Sequence, residues 1–497
     1  MKTEILLKIQ LISIFTFLGF GSCTPKNEKE YNVILIVADD MNDYGFFNSN
    51  PIVKAPNIEN FRKTAISFPY TYCAAPSCSP SRTAFLSGMS PHKSGKYYNG
   101  SKEWDKIYMQ QQETMPEWFK RIGYHSYGKG KLFHSQISKD RVAQNFDGGT
   151  GKAGFGPFPD SLHQLSFEGM EDLKSLPDSM YNSSQSRFKG IQAFPDEDFP
   201  DVKNANEIIE LLKTGGQKPF FLMYGLWRPH SPYTCPQRFY DMYDLDEIQI
   251  PAGYLENDME DLPPMAKEFI KTKSKDFNSI TITEQQWKAY LRGYYACYTF
   301  ADYNIGRVLD ALDKSEYAEN TIVVITSDNG FHMGEKNRFD KNSLWELSAI
   351  TPMAIRIPGS KFGGKICTKP VNLQDLYPTF VDYCGKGTSP IKPIDGHSIR
   401  PLLENPDAAW EHNSMTYFGK GWISIRSEQF RYLQYPDGTE ELYNHKTDHW
   451  ELYNMADNPK YRGVISKFRK QLPTTMAESI PGKWTKLIKQ VEQKVMK

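Results

Sequence analysis

The sequence predicts an α/β fold, a large mostly parallel sheet sandwiched by helices and followed by a smaller C-terminal α+β subdomain. Three observations predict it. Four apolar runs, NVILIVA (32–38), PFFLMYGL (219–226), TIVVITS (321–327) and PMAIRI (352–357), lack alternation and are short, as strands covered on both faces are. Helical patterns lie between them, which implies right-handed crossovers and parallel pairing. Beyond about Leu403 the pattern changes to alternating strands, then a polar, Lys-rich helical tail.

At the N-terminus, Lys2 and Lys8 flank the start of an apolar run, followed by small residues and Cys23. This is the pattern of an export signal, with a lipobox-like Gly21-Ser22-Cys23 at its end. Residues 1–22 are expected to be a lipoprotein-type signal peptide, Cys23 the lipidated residue and 23–30 a polar tether. Export to a bacterial periplasm or to the outer membrane or cell surface follows, with the membrane touched only through that anchor. No later segment approaches the ~20 apolar residues of a spanning helix. Residues 31–403 form the expected main domain and 404–497 the subdomain.

The helix patterns are NIENFRKTAI (57–66), TMPEWFKRIG (114–123), DVKNANEIIELLKTGG (201–216) and a long one over 283–315. In the last, Trp287, Leu291, Tyr294, Tyr298, Ile305, Val308 and Leu312 recur at helical spacing, the stripe of a core-facing helix. Residues 148–201, rich in Gly, Pro, Ser and Asp, read as a long surface excursion. In WISIRSEQFRYLQYPDGTEELYN (422–444) a PDG turn separates strands.

With 59 basic and 59 acidic residues, the chain carries no net charge to recruit nucleic acid or an anionic surface, so an anionic substrate must be met by a local cluster. Export permits disulfides among Cys73, Cys78, Cys235, Cys297, Cys367 and Cys384, but no spacing suggests zinc.

In open parallel sheets ligands gather at the carboxyl ends of strands. There the first run ends in Asp39-Asp40 and the third in Asp328-Asn329. These hard oxygen donors suit a cation such as Ca²⁺, and the absence of His or Cys in either pair argues against zinc. CSPSRTAFLSG (78–88) starts a helix, with Pro80 in its first turn and Cys78 or Ser79 at the cap. Cys78 is expected to lie at the surface, where free N–H groups and the helix dipole favour negative charge, with Arg82 one turn on. GKGKLFH supplies Lys129, Lys131 and His134, LWRPH supplies Arg228 and His230, and RFDKNSLWE supplies Lys341. Cations and a metal around a nucleophile describe a site for a tetrahedral anion, sulfate or phosphate.

The run C-S-P-S-R-T-A-F-L-S-G matches the Cys-x-Pro-Ser-Arg signature of type I, formylglycine-dependent sulfatases. With the strand-end Asp-Asp, G-K-x-F-H, R-P-H, S-D-N-G and the later Lys, the chain resembles this family of the alkaline-phosphatase-like superfamily from about Asn32 to Asn458. It resembles the iduronate-2-sulfatase branch and related bacterial polysaccharide sulfatases, departing from them at Arg228 and Asn329. The resemblance implies that a maturation enzyme oxidises Cys78 to Cα-formylglycine (3-oxoalanine). It further implies one Ca²⁺ held by Asp39, Asp40, Asp328, Asn329 and the modified Cys78. Arg82 and His134 would support the nucleophile, Lys131 and Lys341 would clamp sulfate, and His230 would protonate the leaving oxygen. A sulfated poly- or oligosaccharide bearing uronic acid is the expected substrate, and a monomer the expected state. The rival readings are a phosphodiester or phosphonate hydrolase on the same scaffold and a non-catalytic glycan-binding lipoprotein.

Overall fold

The computed structural model describes residues 30–134, 138–148, 189–191, 194–215, 219–274 and 283–497. The signal-peptide reading, Cys23 and all but the last residue of the tether lie outside these, as does most of the 148–201 excursion. Among the described residues no helix is long and apolar enough to cross a membrane.

A six-stranded sheet forms the centre. Its strands are β1 (Asn32–Asp39), β2 (Ile66–Phe68), β3 (His125–Gly130), β4 (Phe220–Pro229), β5 (Thr321–Ser327) and β6 (Met353–Arg356), in the spatial order β2-β6-β5-β1-β4-β3. Pairing is parallel from β5 through β1 and β4 to β3, and β6 runs antiparallel between β5 and β2. All four apolar runs are strands. Along β1, Ile34, Ile36 and Ala38 enter one core while Val33, Leu35 and Val37 enter another. A strand buried on both faces has no polar side to alternate with.

Each core is a layer of helices. The Ile34 side packs against α3 (Pro200–Thr214) and α4 (Glu284–Asp313); the Val33 side packs against α1 (Cys78–Ser87), α2 (Met115–Arg121) and α5 (Leu376–Cys384). Capping boxes at Thr114/Glu117 and Thr283/Gln286 start α2 and α4, satisfying N–H groups that the first turn leaves open. The stretch 57–66 is helical only over Pro56–Arg62; Ile66 belongs to β2.

A separate antiparallel sheet follows, formed by β7 (Ser414–Tyr417), β8 (Ile423–Arg426), β9 (Phe430–Gln434) and β10 (Glu440–Asn444). The PDG turn joins β9 to β10, with Gly438 at φ 82° supplying the left-handed residue. Two amphipathic helices, Arg462–Arg469 and Thr485–Val495, complete the region, and their apolar sides share a core with this sheet.

Candidate active site

Register brings the acidic pairs together. β1 and β5 pair Ala38 with Ser327, so Asp39 and Asp328 leave adjacent strands at the same level, with Asp328 N–H donating to the Ala38 carbonyl at 3.1 Å. On the other side Asp39 pairs with Pro229, next to His230. Asp40 then turns into the left-handed region at φ 62°, a strained conformation for a side-chain-bearing residue, and the tyrosines of α4 hold it there. Tyr294 OH donates to the Asp40 carbonyl at 2.8 Å, and Tyr298 OH to that of Asn42 at 2.9 Å.

Lys131 is placed by two glycines. Its N–H donates to the Gly225 carbonyl at 2.7 Å, and a Cβ on Gly225 would come within 1.6 Å of the Lys131 carbonyl. Gly130, at φ 79°, would place a Cβ 2.0 Å from the Gly225 carbonyl. The crossing from β3 into the site thus requires chain without side chains at both positions.

The Cys78 helix differs from its sequence reading in two ways. Ser77 is the N-cap and Cys78 the first helical residue, so neither Cys78 nor Ser79 caps it. All ten residues of the helix are buried, Cys78 being 1% exposed, because α1 packs between the sheet and α5. Cys78 is therefore a buried group at the strand ends and not a surface one. Burial, reinforced by Asp39, pushes its thiol up to about 12 against the pull of Lys131 and Lys341. The helix terminus does not prevail, and the unmodified thiol is a poor nucleophile at neutral pH.

Around Sγ the charges interlock. Lys341 Nζ lies 2.6 Å from it and also pairs with Asp40 Oδ1. Asp40 Oδ1 accepts from Asn329 Nδ2 at 2.8 Å, and His230 Nε2 lies 3.5 Å from Asp40 Oδ2. Lys131 pairs with Asp39, and Arg82 Nε donates to Asp328 at 2.7 Å. Burial alone would raise the Asp39 carboxyl, but Lys131, His230, Lys341 and Arg82 hold it well below the usual range. Burial opposes charge on Lys131 and Lys341 as well, yet the facing carboxylates keep both protonated. His134 is driven the other way: burial and Lys131 lower it to about 3, so its ring is neutral.

Every residue singled out as nucleophile, ligand, clamp or proton carrier reaches this cluster. Lys129 and Arg228 do not. Lys129 pairs with Glu207 at the surface, and Arg228 turns to the Thr234 carbonyl at 2.8 Å. Sequence reasoning missed Asn99, whose Oδ1 accepts from Ser79 N–H at 3.0 Å and so caps α1 from a loop. It also missed the buried Lys96–Glu103 pair, in which Glu103 grips Thr83 of α1 and Lys96 adds to the charge that lowers His134. The tyrosine stripe of α4 was legible only as core, although buried phenol hydroxyls need partners and so could have flagged it.

The donor set fits a hard cation. Asp39 Oδ1 and Asn329 Oδ1 are buried oxygens with no hydrogen-bond partner among the described residues, and ligand atoms of Asp39, Asp40, Cys78 and His230 lie within 4.8 Å of one another. A buried acceptor without a donor is costly unless something positive completes it.

Comparison with known proteins decides the family. The sulfatase family model matches residues 31–386. This chain belongs to the sulfatase family. As a sulfatase it is a sulfuric ester hydrolase, and a model of the N-sulphoglucosamine sulphohydrolase C-terminal region matches residues 334–478. A sulfatase of Formosa agariphila is 33% identical over 491 residues, covering 96% of this chain and 93% of the relative. Human iduronate 2-sulfatase is 27% identical, covering 71% of this chain and 64% of its own length. The phosphonate monoester hydrolase of Agrobacterium radiobacter shares the fold, with a TM-score of 0.67 at 19% identity over 89% of this chain and 94% of that one.

Proposed function

We propose that this sulfatase is an exported lipoprotein that removes sulfate esters from a uronate-containing poly- or oligosaccharide, using a formylglycine made from Cys78 and one Ca²⁺. The observation that carries the reading is the pair of partnerless buried oxygens, Asp39 Oδ1 and Asn329 Oδ1, among protonated lysines beside Cys78. Export and lipidation rest on the N-terminal sequence, and the glycan class on similarity to iduronate 2-sulfatase and to an ulvan-active sulfatase of Formosa agariphila.

Asp39, Asp40, Asp328 and Asn329 would hold the cation, which supplies positive charge beside the sulfuryl oxygens. A hydrated aldehyde at position 78 supplies two hydroxyls on one carbon, one to attack sulfur and one to let sulfate leave afterwards. The remaining work falls to the side chains. Lys131 and Lys341 exchange their carboxylate partners for sulfuryl oxygens, and the mobile ammonium suits that exchange. Arg82, fixed by Asp328, holds the helix that carries position 78. His134, neutral, takes the proton of the second hydroxyl at a ring nitrogen. His230 Nδ1 is committed to the Ser231 carbonyl at 2.5 Å, which leaves Nε2 to protonate the departing sugar oxygen. Burial lowers the His230 pKa against the pull of Asp39 and Asp40, and a bound sulfate adds negative charge that favours its proton.

The test is mass spectrometry of the Cys78 peptide, then turnover of paired aryl sulfate and aryl phosphodiester substrates and of defined sulfated oligosaccharides. An aldehyde at position 78 with release of sulfate from a uronate-bearing oligosaccharide is expected. An unmodified, inactive protein, or faster phosphodiester turnover, overturns the reading in favour of a glycan-binding protein or a phosphodiester hydrolase.

A further inference from the structure

Residues 477–484 run from the second sheet's helices back to the site, and their contacts are ordered. Ala477 N–H donates to the His92 carbonyl at 2.7 Å, Ile480 N–H to Gly95 at 2.9 Å and Lys483 N–H to Asn99 at 2.8 Å. The approach is close: a Cβ on Gly95 would lie 2.3 Å from the Glu478 carbonyl, and one on Gly482 would lie 2.7 Å from that of Asn99. This segment therefore lies along residues 92–99, and its far end fixes the asparagine whose side chain caps the Cys78 helix.

Its last residue reaches the opposite side of the nucleophile. Trp484 Nε1 donates to Asn342 Oδ1 at 3.2 Å, and Asn342 N–H donates to the Pro76 carbonyl at 2.9 Å, two residues before Cys78. Asn342 sits at φ 68°, a conformation asparagine tolerates better than most residues, and directly follows Lys341. The turn that aims Lys341 at Sγ is thus pinned at its backbone to the nucleophile loop and at its side chain to Trp484.

We propose that residues 477–484 are a strap that positions the site from both sides, and that Trp484 is a positioning residue acting through Asn342 on Lys341. The inference rests on the sulfatase mechanism above for what Lys341 does, but the placement of Lys341 can be read without turnover. A strap of this kind makes the second sheet and its helices part of the catalytic apparatus: the ammonium that must leave Asp40 for a sulfuryl oxygen keeps its aim because its turn cannot follow.

The experiment is a double-mutant cycle of Trp484→Phe and Lys341→Ala in the full-length matured protein, with Cys78 conversion and melting temperature measured for each variant. Trp484→Phe keeps an aromatic ring, smaller than the indole, and removes the donor. A roughly tenfold fall in kcat is expected in the wild-type background and less than twofold in Lys341→Ala, because contacts acting through one residue are not additive. In parallel, acylation of the Lys341 amine by a water-soluble reagent, followed by mass spectrometry, is expected to quicken several-fold in Trp484→Phe. Asn342→Gly, which tolerates the backbone conformation but lacks the acceptor, should reproduce both effects and replaces Trp484→Phe if that variant does not fold. Equal losses of kcat in both backgrounds, or unchanged Lys341 labelling, overturn the proposal. A wild type that releases no sulfate overturns the function instead, and the labelling then decides the strap by itself.

Discussion

Two of the buried clusters of acids and bases among the described residues are built to opposite ends. At the strand tips, Asp39, Asp40 and Asp328 face Lys131, Lys341 and Arg82. Behind them, Glu346 and Glu451 face Arg426, Arg431 and His445, joining the loop after Lys341 to the second sheet. The first brings four potential metal-binding groups together and the second three. In the second, all four carboxylate oxygens are satisfied: Glu346 accepts from Tyr72 OH at 2.7 Å and from both arginines, and Glu451 accepts from His445 and the Glu346 N–H and pairs with Arg431. What remains over there, besides one ring nitrogen of His445, is the donor Arg426 Nη2, which repels a cation. At the first, what remains over includes the acceptors Asp39 Oδ1 and Asn329 Oδ1. Residue choice follows the same division. Arginine's rigid fork closes a network permanently, whereas lysine's point charge can change partners. A count of charged residues would equate the two clusters; the kind of atom left over separates scaffold from site.

The largest effect that sharpens this contrast is Cys78→Ala, expected to reduce sulfate release to the uncatalysed level. Because the position is buried beside the site, the melting temperature is also a check: loss of fold together with activity would make Cys78 a core residue. Breaking the closed cluster should do the reverse. Glu346→Gln leaves two guanidinium groups short of charge in the interior and is expected to cost about 3–5 kcal/mol in urea unfolding. An equally stable variant would mean that the network holds nothing. Between these, Lys131→Ala should lower kcat/KM by the equivalent of about 2–4 kcal/mol, the range for one lost donor to a developing anion. Ca²⁺ then distinguishes the clusters directly. At a hundred times its Kd it should stabilise the wild type by about 2.7 kcal/mol, and Asn329→Ala should lose that response while the folded fraction of Glu346→Gln keeps it. A Ca²⁺ response abolished by Glu346→Gln alone would place the ion in the wrong cluster.

The open cluster was largely legible in the sequence and the closed one was not. Asp39-Asp40 and Asp328-Asn329 stand at the ends of apolar runs, and parallel pairing puts such ends together whatever the rest of the fold does. The runs themselves were legible because burial on two faces removes every polar residue from them. By contrast β3, reading HSYGKG, has no apolar run: it lies at the sheet's edge with only a third of its residues buried, and its Gly130 serves the approach to Gly225. Asn99, Lys96 and Glu103 act on α1 from a loop whose spacing carries no period. Glu346, Arg431 and Glu451 meet only through tertiary packing across a long span of chain. The depth of Cys78 was misjudged for the same reason, since a Pro- and Ser-rich helix start reads as surface until α5 is seen to cover the helix.

The smallest effect tests the electrostatics of the open cluster without substrate. His134 has a folded pKa of about 3 against an ordinary value near 6.5, so between those values the unfolded chain binds a proton that the folded chain refuses. Stability should therefore fall as the pH drops through that window, and His230, also lowered, adds to the fall with the same sign. For His134 alone the loss between pH 7 and pH 5 amounts to about 2 kcal/mol. His134→Gln, which cannot titrate, should flatten the profile by that amount in urea unfolding at the two pH values. An unchanged slope would mean that the ring accepts a proton in the folded state, that Lys131 does not press upon it, and that the neutral base required for releasing sulfate has to be sought elsewhere in the cluster.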